Sequence, residues 1–445
     1  MSLQPILGRS PVQRHLQHLA AEGIPRCTIL LEPGPEASEA GQECRRQVAE
    51  LSLGGMRVEI RSVSERGAEP RAEESGGAEP SDARAGAGAA GRAVASVPGT
   101  EPGAPAARSE ILLLPGEGVY DPRLYRRVVA APAPVHVAHR EEGEAAGTGS
   151  RLRPTGLAKR EFRGWATLRR RGGAGLPTGS WETARKGPAD ATIVVQDLPT
   201  YVPELRRHLE PYALLVRGER ERRQAERAIL ASAQKGVLDL PARVLHPVPE
   251  NLLVRWLARS SVTPNQITLF TGIIAFLATY LLATRAFGWG LAVALLVNVL
   301  DGVDGKLARV KLQTSPFGDR LDHLLDVTFE FSWYVAVGWG LMGATGRRLP
   351  VELGVGLVAV MTASRAVSGI YKWLSGRQIH DHRRFDRAFR LVAGRRNIYV
   401  LILLAGLAGG VLDRALLLTF GWGAATLLVY SVRAGMAFAA HRRKR

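Results

Sequence analysis

Asp301-Gly-Val-Asp304-Gly305-Lys-Leu-Ala308-Arg309-Val-Lys-Leu-Gln-Thr-Ser-Pro-Phe-Gly318-Asp-Arg-Leu-Asp322-His-Leu-Leu-Asp326 is the stretch that decides how the second half of this chain folds. Asp301 and Asp304 are three residues apart and Asp322 and Asp326 four apart, so each pair projects from one face of its own helix. Two such helices side by side aim four carboxylates at one point. In low dielectric these like charges repel, and some stay protonated unless cations neutralise them. Hard divalent ions with oxygen ligands, Mg²⁺ or Mn²⁺, are the expected solution. Gly305, Ala308 and Gly318 keep the neighbouring faces free of bulk, so a helix or a ligand can approach closely.

On either side of this stretch the sequence is strongly apolar. Six runs, at about 267–284, 287–305, 321–342, 351–374, 397–412 and 415–433, each approach the roughly 20 residues a spanning helix needs. The loops between them differ in charge. Lys306, Arg309, Lys311 and Arg320 follow the second run, and eight basic residues from Lys372 to Arg396 follow the fourth. The other loops hold only Arg285, Arg347, Arg348 and the Asp413-Arg414 pair. Positive-inside counting then predicts six spans in the inner (cytoplasmic) membrane, with both termini and the four aspartates on the cytoplasmic side.

The formal net charge of +18 over 445 residues fits this arrangement. Anionic lipid headgroups and phosphate-bearing substrates account for it, and no nucleic acid is needed. Only Cys27 and Cys44 are present, too few for a disulfide framework or a cysteine zinc site. The opening residues lack a continuous apolar core, so no signal peptide is expected and the first half is placed in the cytoplasm. Between the halves, residues 246–262 read as an interfacial amphipathic helix. Leu253, Trp256, Leu257 and Ser260 are expected on one face, with Arg255 and Arg259 turned away.

The segment resembles the signature of the CDP-alcohol phosphotransferases, Asp-x2-Asp-Gly-x2-Ala-Arg-x8-Gly-x3-Asp-x3-Asp, and meets every fixed position. Val310 to Phe317 fill the eight-residue gap, and Thr263-Pro264-Asn265 looks like the family's lead into its first span. The resemblance covers about residues 246–445, with the membrane domain at 263–445. It implies that Asp301, Asp304 and Asp322 ligate two Mg²⁺ or Mn²⁺ ions, with Asp326 completing the site and acting as general base on the acceptor hydroxyl. Gly305, Ala308, Arg309 and Gly318 would shape the pocket for the cytidine diphosphate of a CDP-alcohol donor. Attack at the β-phosphorus would give a phosphodiester and CMP. A homodimer is compatible with the family.

The acceptor is expected to be a polyol or a polyol phosphate such as inositol phosphate. Arg365 lies about 10 Å inside the fourth run and Glu330 about 12 Å beyond Asp322, at comparable depth. They are expected to pair, or else Arg365 turns toward an acceptor phosphate. Arg396 and Arg433, at the ends of the last two runs, are further candidates for that phosphate or plain interfacial anchors. A glycerophospholipid synthase using CDP-diacylglycerol is the runner-up within the class. A non-catalytic membrane scaffold with a nucleotide-binding domain is the alternative outside it, disfavoured by the intact set of repelling aspartates.

Residues 1–245 alternate strand-like runs (27–31, 56–60, 110–114, 135–137, 191–195, 214–216) with helix-like ones, which predicts an α/β domain. Two stretches rich in Ala, Gly, Glu, Arg and Pro, about 64–108 and 140–190, read as disordered insertions. The order is similar to sugar-nucleotide nucleotidyltransferases of Rossmann type. Gln4 to Val12 with Gly23-Ile24 resembles the stretch after their nucleotide loop, and Leu112 to Pro122 the strand end that carries their metal-binding Asp. Glu117 stands where Asp is usual, and the Gly-rich loop would precede Pro5, so a degenerate domain is expected. Fusions of this kind resemble the bifunctional inositol-phosphate cytidylyltransferase and di-inositol-phosphate phosphate synthases.

Overall fold

The computed structural model describes residues 5–24, 26–31, 37–51, 53, 56–62, 91–97, 109–114, 117–131, 135–140, 152–162, 191–380 and 383–442. The chain divides into two compact units, 1–200 with 209–231 and 201–208 with 232–445. Residues 232–245, grouped by sequence with the first half, thus go with the second unit.

The first unit contains α1 (Pro11–Ala21), β1 (Arg26–Leu31), α2 (Ala37–Ala49), β2 (Arg57–Ser62), β3 (Gly91–Val97), β4 (Ser109–Leu114), β5 (Gly118–Tyr120), α3 (Pro122–Ala130), β6 (Val135–Arg140), β7 (Leu152–Phe162) and β8 (Ala191–Val194). Seven strands form one mixed sheet in the order β2-β1-β3-β4-β7-β6-β8. β1 pairs with β2 and β6 with β8 in parallel, while β3 and β7 run antiparallel to both of their neighbours. All six strand-like runs are strands. The two stretches expected as insertions need correction, because each contributes a strand, β3 and β7; their remaining residues lie outside those described. Seven-residue alternation such as Gly91-Arg-Ala-Val-Ala-Ser-Val97 is a pairing signal that stretch-wide composition averages away. Val12, Leu16 and Leu19 of α1 pack with Ile29, Leu114, Leu124 and Val137 in the core of this unit.

The hairpin β9 (Tyr201–Val202) with β10 (Arg207–His208) belongs to the second unit, and β11 (Ala213–Leu215) pairs with β5 in the first. After α4 (Glu219–Ala233), helices follow throughout: α5 (Leu240–Val244), α6 (Pro247–Ala258), α7 (Pro264–Ala283), α8 (Phe287–Lys311), α9 (Pro316–Thr345), α10 (Leu349–Ser375), α11 (Arg384–Val392), α12 (Arg396–Ala408) and α13 (Leu412–Arg442). A helix thus occupies each of the six apolar runs. Among the described residues four segments, 264–283, 349–375, 384–408 and 412–439, are long and apolar enough to cross a membrane; helix is interrupted at 393–395 in the third. The helices α8 and α9, which carry the aspartates, lysines and arginines of the opening motif, fall outside that set. The last three residues of the basic tail, 443–445, lie outside the described residues.

Local chemistry sets the helix ends near the motif. Leu312, in the left-handed region at φ 55°, stops α8, and Ser315 starts α9 by accepting the Gly318 N–H at 3.0 Å, with Pro316 in the first turn. Thr263 and Gln266 form a reciprocal capping box on α7. Trp333, Tyr334 and Tyr399 fill the middle of the bundle with Phe329 and Leu357.

In α6 the expected face is corrected. Val254 and Leu257 are buried, whereas Val248, Leu252 and Trp256 are 76%, 67% and 71% exposed beside Arg255 and Arg259. Rows four residues apart separate Trp256 from Leu253 and Leu257. The outward apolar stripe flanked by arginines suits a membrane interface.

Candidate active site

Two helices bring the aspartates together. One carboxylate oxygen from each of Asp301 on α8 and Asp322 and Asp326 on α9 lies within 4.8 Å of the other two. Asp304 lines the same small cavity but is turned toward α7, where Thr268 Oγ1 donates to its Oδ2 at 2.6 Å. The structure therefore gathers three of the four expected ligands and holds the fourth, buried, beside them. The cavity is about 20 Å³, room for a water-sized occupant. Thr271 Oγ1, also lining it, is buried without a hydrogen-bond partner among the described residues. A cluster of hard oxygen donors around such a space fits a divalent cation.

One cation from this chain already reaches the cluster. Arg396, at the start of α12, pairs with Asp301 through Nη2 at 3.1 Å and with Asp326 through Nη1 at 2.8 Å. Its Nε donates to Asn298 Oδ1 at 2.8 Å, and its guanidinium lies 5.4 Å from the centroid of the Phe329 ring. Considered as an acceptor anchor from sequence, Arg396 is in the structure a direct partner of two aspartates. One guanidinium against four carboxylates leaves the site with an excess of negative charge, the condition a bound cation relieves.

The small residues have distinct steric reasons. A Cβ at Gly318 would lie 2.6 Å from Asn265 Oδ1, so glycine lets the start of α9 meet the start of α7. At Gly305 a Cβ would meet only the flexible Arg309 guanidinium at 3.4 Å, so chain packing alone does not demand glycine there. The compelled glycine is Gly302, where a Cβ would sit 2.3 Å from Glu250 Oε1. Glu250 on α6 bonds Lys306 Nζ at 2.6 Å, and Lys306 also donates to Asn251 Oδ1 at 3.0 Å, with both ionic side chains almost fully buried. Sequence reading missed this pair, because the two residues are 56 positions apart and each reads as interfacial charge. Thr268, Thr271 and Asn298 were missed as well; hydroxyls and amides in apolar helices give no signal until a neighbouring helix is placed. Ala308 shares this part of α8, and Arg309 donates through Nε to the Ala233 carbonyl at 2.7 Å.

The remaining candidates lie elsewhere in the bundle. Arg365 pairs with Glu330, which also accepts from Tyr334 Oη at 3.0 Å, so the pairing alternative is the one observed. Arg433 makes a bidentate pair with Asp386, at 2.7 Å for both bonds.

Residues 261–428 match the family model described as CDP-alcohol phosphatidyltransferase. The chain is 30% identical over 212 residues to a bifunctional IPC transferase and DIPP synthase of Thermococcus kodakarensis, covering 45% of each protein. It is 39% identical over 106 residues to the inner membrane protein YnjF of Escherichia coli, covering 22% of this chain and 48% of that one. These matches span less than half the length of either relative. Among solved structures, the phosphatidylinositol phosphate synthase of Mycobacterium tuberculosis with CDP-DAG bound matches at 17% identity and TM-score 0.35, over 43% of this chain and 94% of that one.

Proposed function

We propose, from the premise that this chain carries a CDP-alcohol phosphatidyltransferase domain at residues 261–428, that its helical unit moves a substituted phosphate from a CDP-alcohol to a hydroxyl acceptor and releases CMP. The observation that carries the reading is the convergence of Asp301, Asp322 and Asp326 within 4.8 Å, with Asp304 beside them. A divalent cation bound there would neutralise charge on the donor diphosphate and on the departing phosphate. Asp301, Asp304 and Asp322 would hold it, with Asp326 completing the set.

The chain's own groups supply the remaining roles. Asp326 sits at the edge of the cluster and takes the proton from the acceptor hydroxyl, leaving the oxygen to attack the β-phosphorus. Arg396 pairs with both Asp301 and Asp326 and so fixes their positions relative to each other. Gly305, Ala308, Arg309 and Gly318 border the cytidine diphosphate pocket. All six long apolar helical runs span the membrane with both termini cytoplasmic, so soluble donors and lipid headgroups reach the site from one side. A polyol or polyol phosphate is the acceptor, a reading supported by the similarity to a bifunctional IPC transferase and DIPP synthase.

A second reading, a CDP-diacylglycerol-dependent synthase, is supported by an apolar groove of about 700 Å³. Val327, Phe331, Val335 and Trp339 line it along α9, starting one residue beyond Asp326, where acyl chains would lie. CMP release from CDP-inositol and from CDP-diacylglycerol, each with inositol phosphate, glycerol phosphate or serine and Mg²⁺, separates the two readings. Turnover of CDP-inositol with a polyol phosphate is expected; turnover only of the lipid donor favours the second, and none with any pair refutes both.

The first unit is read as a nucleotidyltransferase-like domain without activity of its own. Its mixed sheet supports the class. At the end of β4, Glu117 is paired with Arg217 at 3.4 Å, and Asp121 binds Arg123 at 2.7 Å while capping α3. Both acids are thereby engaged by arginines; Gly116 of the compared stretch lies outside the described residues.

A further inference from the structure

A strap of chain runs beside the aspartate-bearing helix. Residues 234–239 connect α4 to α5, and bonds on both sides fix their path. Arg309 holds the Ala233 carbonyl at 2.7 Å, Arg207 Nη1 donates to the Gln234 carbonyl at 3.4 Å, and the Gly236 N–H donates to the Leu205 carbonyl at 2.8 Å. A Cβ at Gly236 would lie 2.5 Å from the Arg206 carbonyl oxygen, so only glycine allows this approach. Further along, Asp239 caps α5 and accepts from Asn397 Nδ2 at 2.9 and 3.0 Å, one residue from Arg396.

Lys235 sits between the anchored Ala233 and Gly236. It is exposed, and it makes no hydrogen bond or ion pair among the described residues. Arg309, which holds this strap at Ala233, lies on α8 five residues beyond Asp304, so Lys235 is carried at the Asp304 end of the cluster, where its charge also bears on Asp322. Arg396 is bonded to Asp301 and Asp326, whereas Lys235 stands near Asp304 and Asp322 unbonded. A flexible ammonium held near two carboxylates but bonded to neither is placed for an anion that binds between them.

We propose that Lys235 is a substrate-binding residue that takes the nucleotide-side phosphate of the donor, the group that leaves as CMP. Attacking and leaving oxygens lie on opposite sides of the phosphorus. With Asp326 and Arg396 on the acceptor side, the leaving phosphate falls on the Asp304 and Asp322 side. As the bond from the β-phosphorus to the bridging oxygen breaks, its electron pair stays on that oxygen, and Lys235 stabilises the added charge. This inference rests on the CDP-alcohol reading above.

Binding of CMP and of cytidine to the purified full-length protein with Mg²⁺ tests it. Lys235→Met is expected to weaken CMP binding about tenfold and leave cytidine binding unchanged, because only CMP carries the phosphate. Lys235→Arg should recover most of the loss. A Met variant that binds CMP as the wild type does, or that loses CMP and cytidine equally, overturns the inference while the CDP-alcohol reading stands. Wild type that neither binds CMP nor releases it from any CDP-alcohol overturns the reading itself, and the inference with it.

Discussion

The acid pair that follows β4 and the aspartate cluster of the helical unit are held in opposite ways. In the first, Glu117 and Asp121 each have an arginine of their own, and Asp121 is also used up as a helix cap. In the second, Asp301, Asp322 and Asp326 converge with one Arg396 shared between Asp301 and Asp326, while Asp304 is bonded, among the described residues, to a hydroxyl and to its neighbour's backbone. An acid with a private counter-ion is satisfied by the fold. Acids left with surplus charge favour a cation from outside the chain, and that surplus is what the proposed metal site rests on.

The largest expected effect tests the surplus directly. Asp326→Asn removes both a proposed ligand and the proposed base, and CMP release should fall by about 10²–10⁴-fold. Asp121→Asn in the other unit should leave CMP release unchanged, and equal losses in the two variants would erase the contrast. Next in size is the buried pair behind the site. Glu250→Gln strands the Lys306 ammonium, which is almost fully buried, and should lower unfolding stability by about 3–5 kcal/mol. Glu250→Gln combined with Lys306→Met should regain part of that loss in detergent-solubilised thermal unfolding.

A smaller effect belongs to the first unit alone. Burial, with Arg14 and His15 nearby, lowers the pKa of His18 to about 3 from the usual 6.5. The unfolded chain therefore binds one more proton between those values, so stability is full above about pH 6.5 and declines as pH falls toward 3. The slope is about 1 kcal/mol per pH unit. His18→Gln should flatten that acid limb in chemical denaturation, and an unchanged limb would assign it to other groups. Smallest of all, Asp121→Ala should cost about 1–2 kcal/mol through the lost cap, read in the same unfolding curves.

Much of this was legible in the sequence. The i, i+3 and i, i+4 spacing of the aspartates and the apolar runs set the two site helices, since each is a local property of the chain. Strand alternation likewise placed β1, β2, β4, β6, β8 and β11. The partners were not legible. Arg396 lies 70 residues from Asp326, Glu250 lies 56 from Lys306, and Thr268 lies 36 from Asp304; helix packing alone brings them together. The face of α6 was misjudged for a related reason: the helix packs against α8 with Val254 and Leu257 buried, a contact its own sequence does not announce.

Mn²⁺ binding, followed by its electron paramagnetic resonance signal in titrations of the full-length protein, tests the central claim most directly. The wild type and Asp121→Asn should bind Mn²⁺ alike, while Asp322→Asn and Asp326→Asn should weaken binding at least about tenfold. Mn²⁺ affinity that is absent in the wild type, or unchanged when Asp322 and Asp326 are replaced, would contradict it.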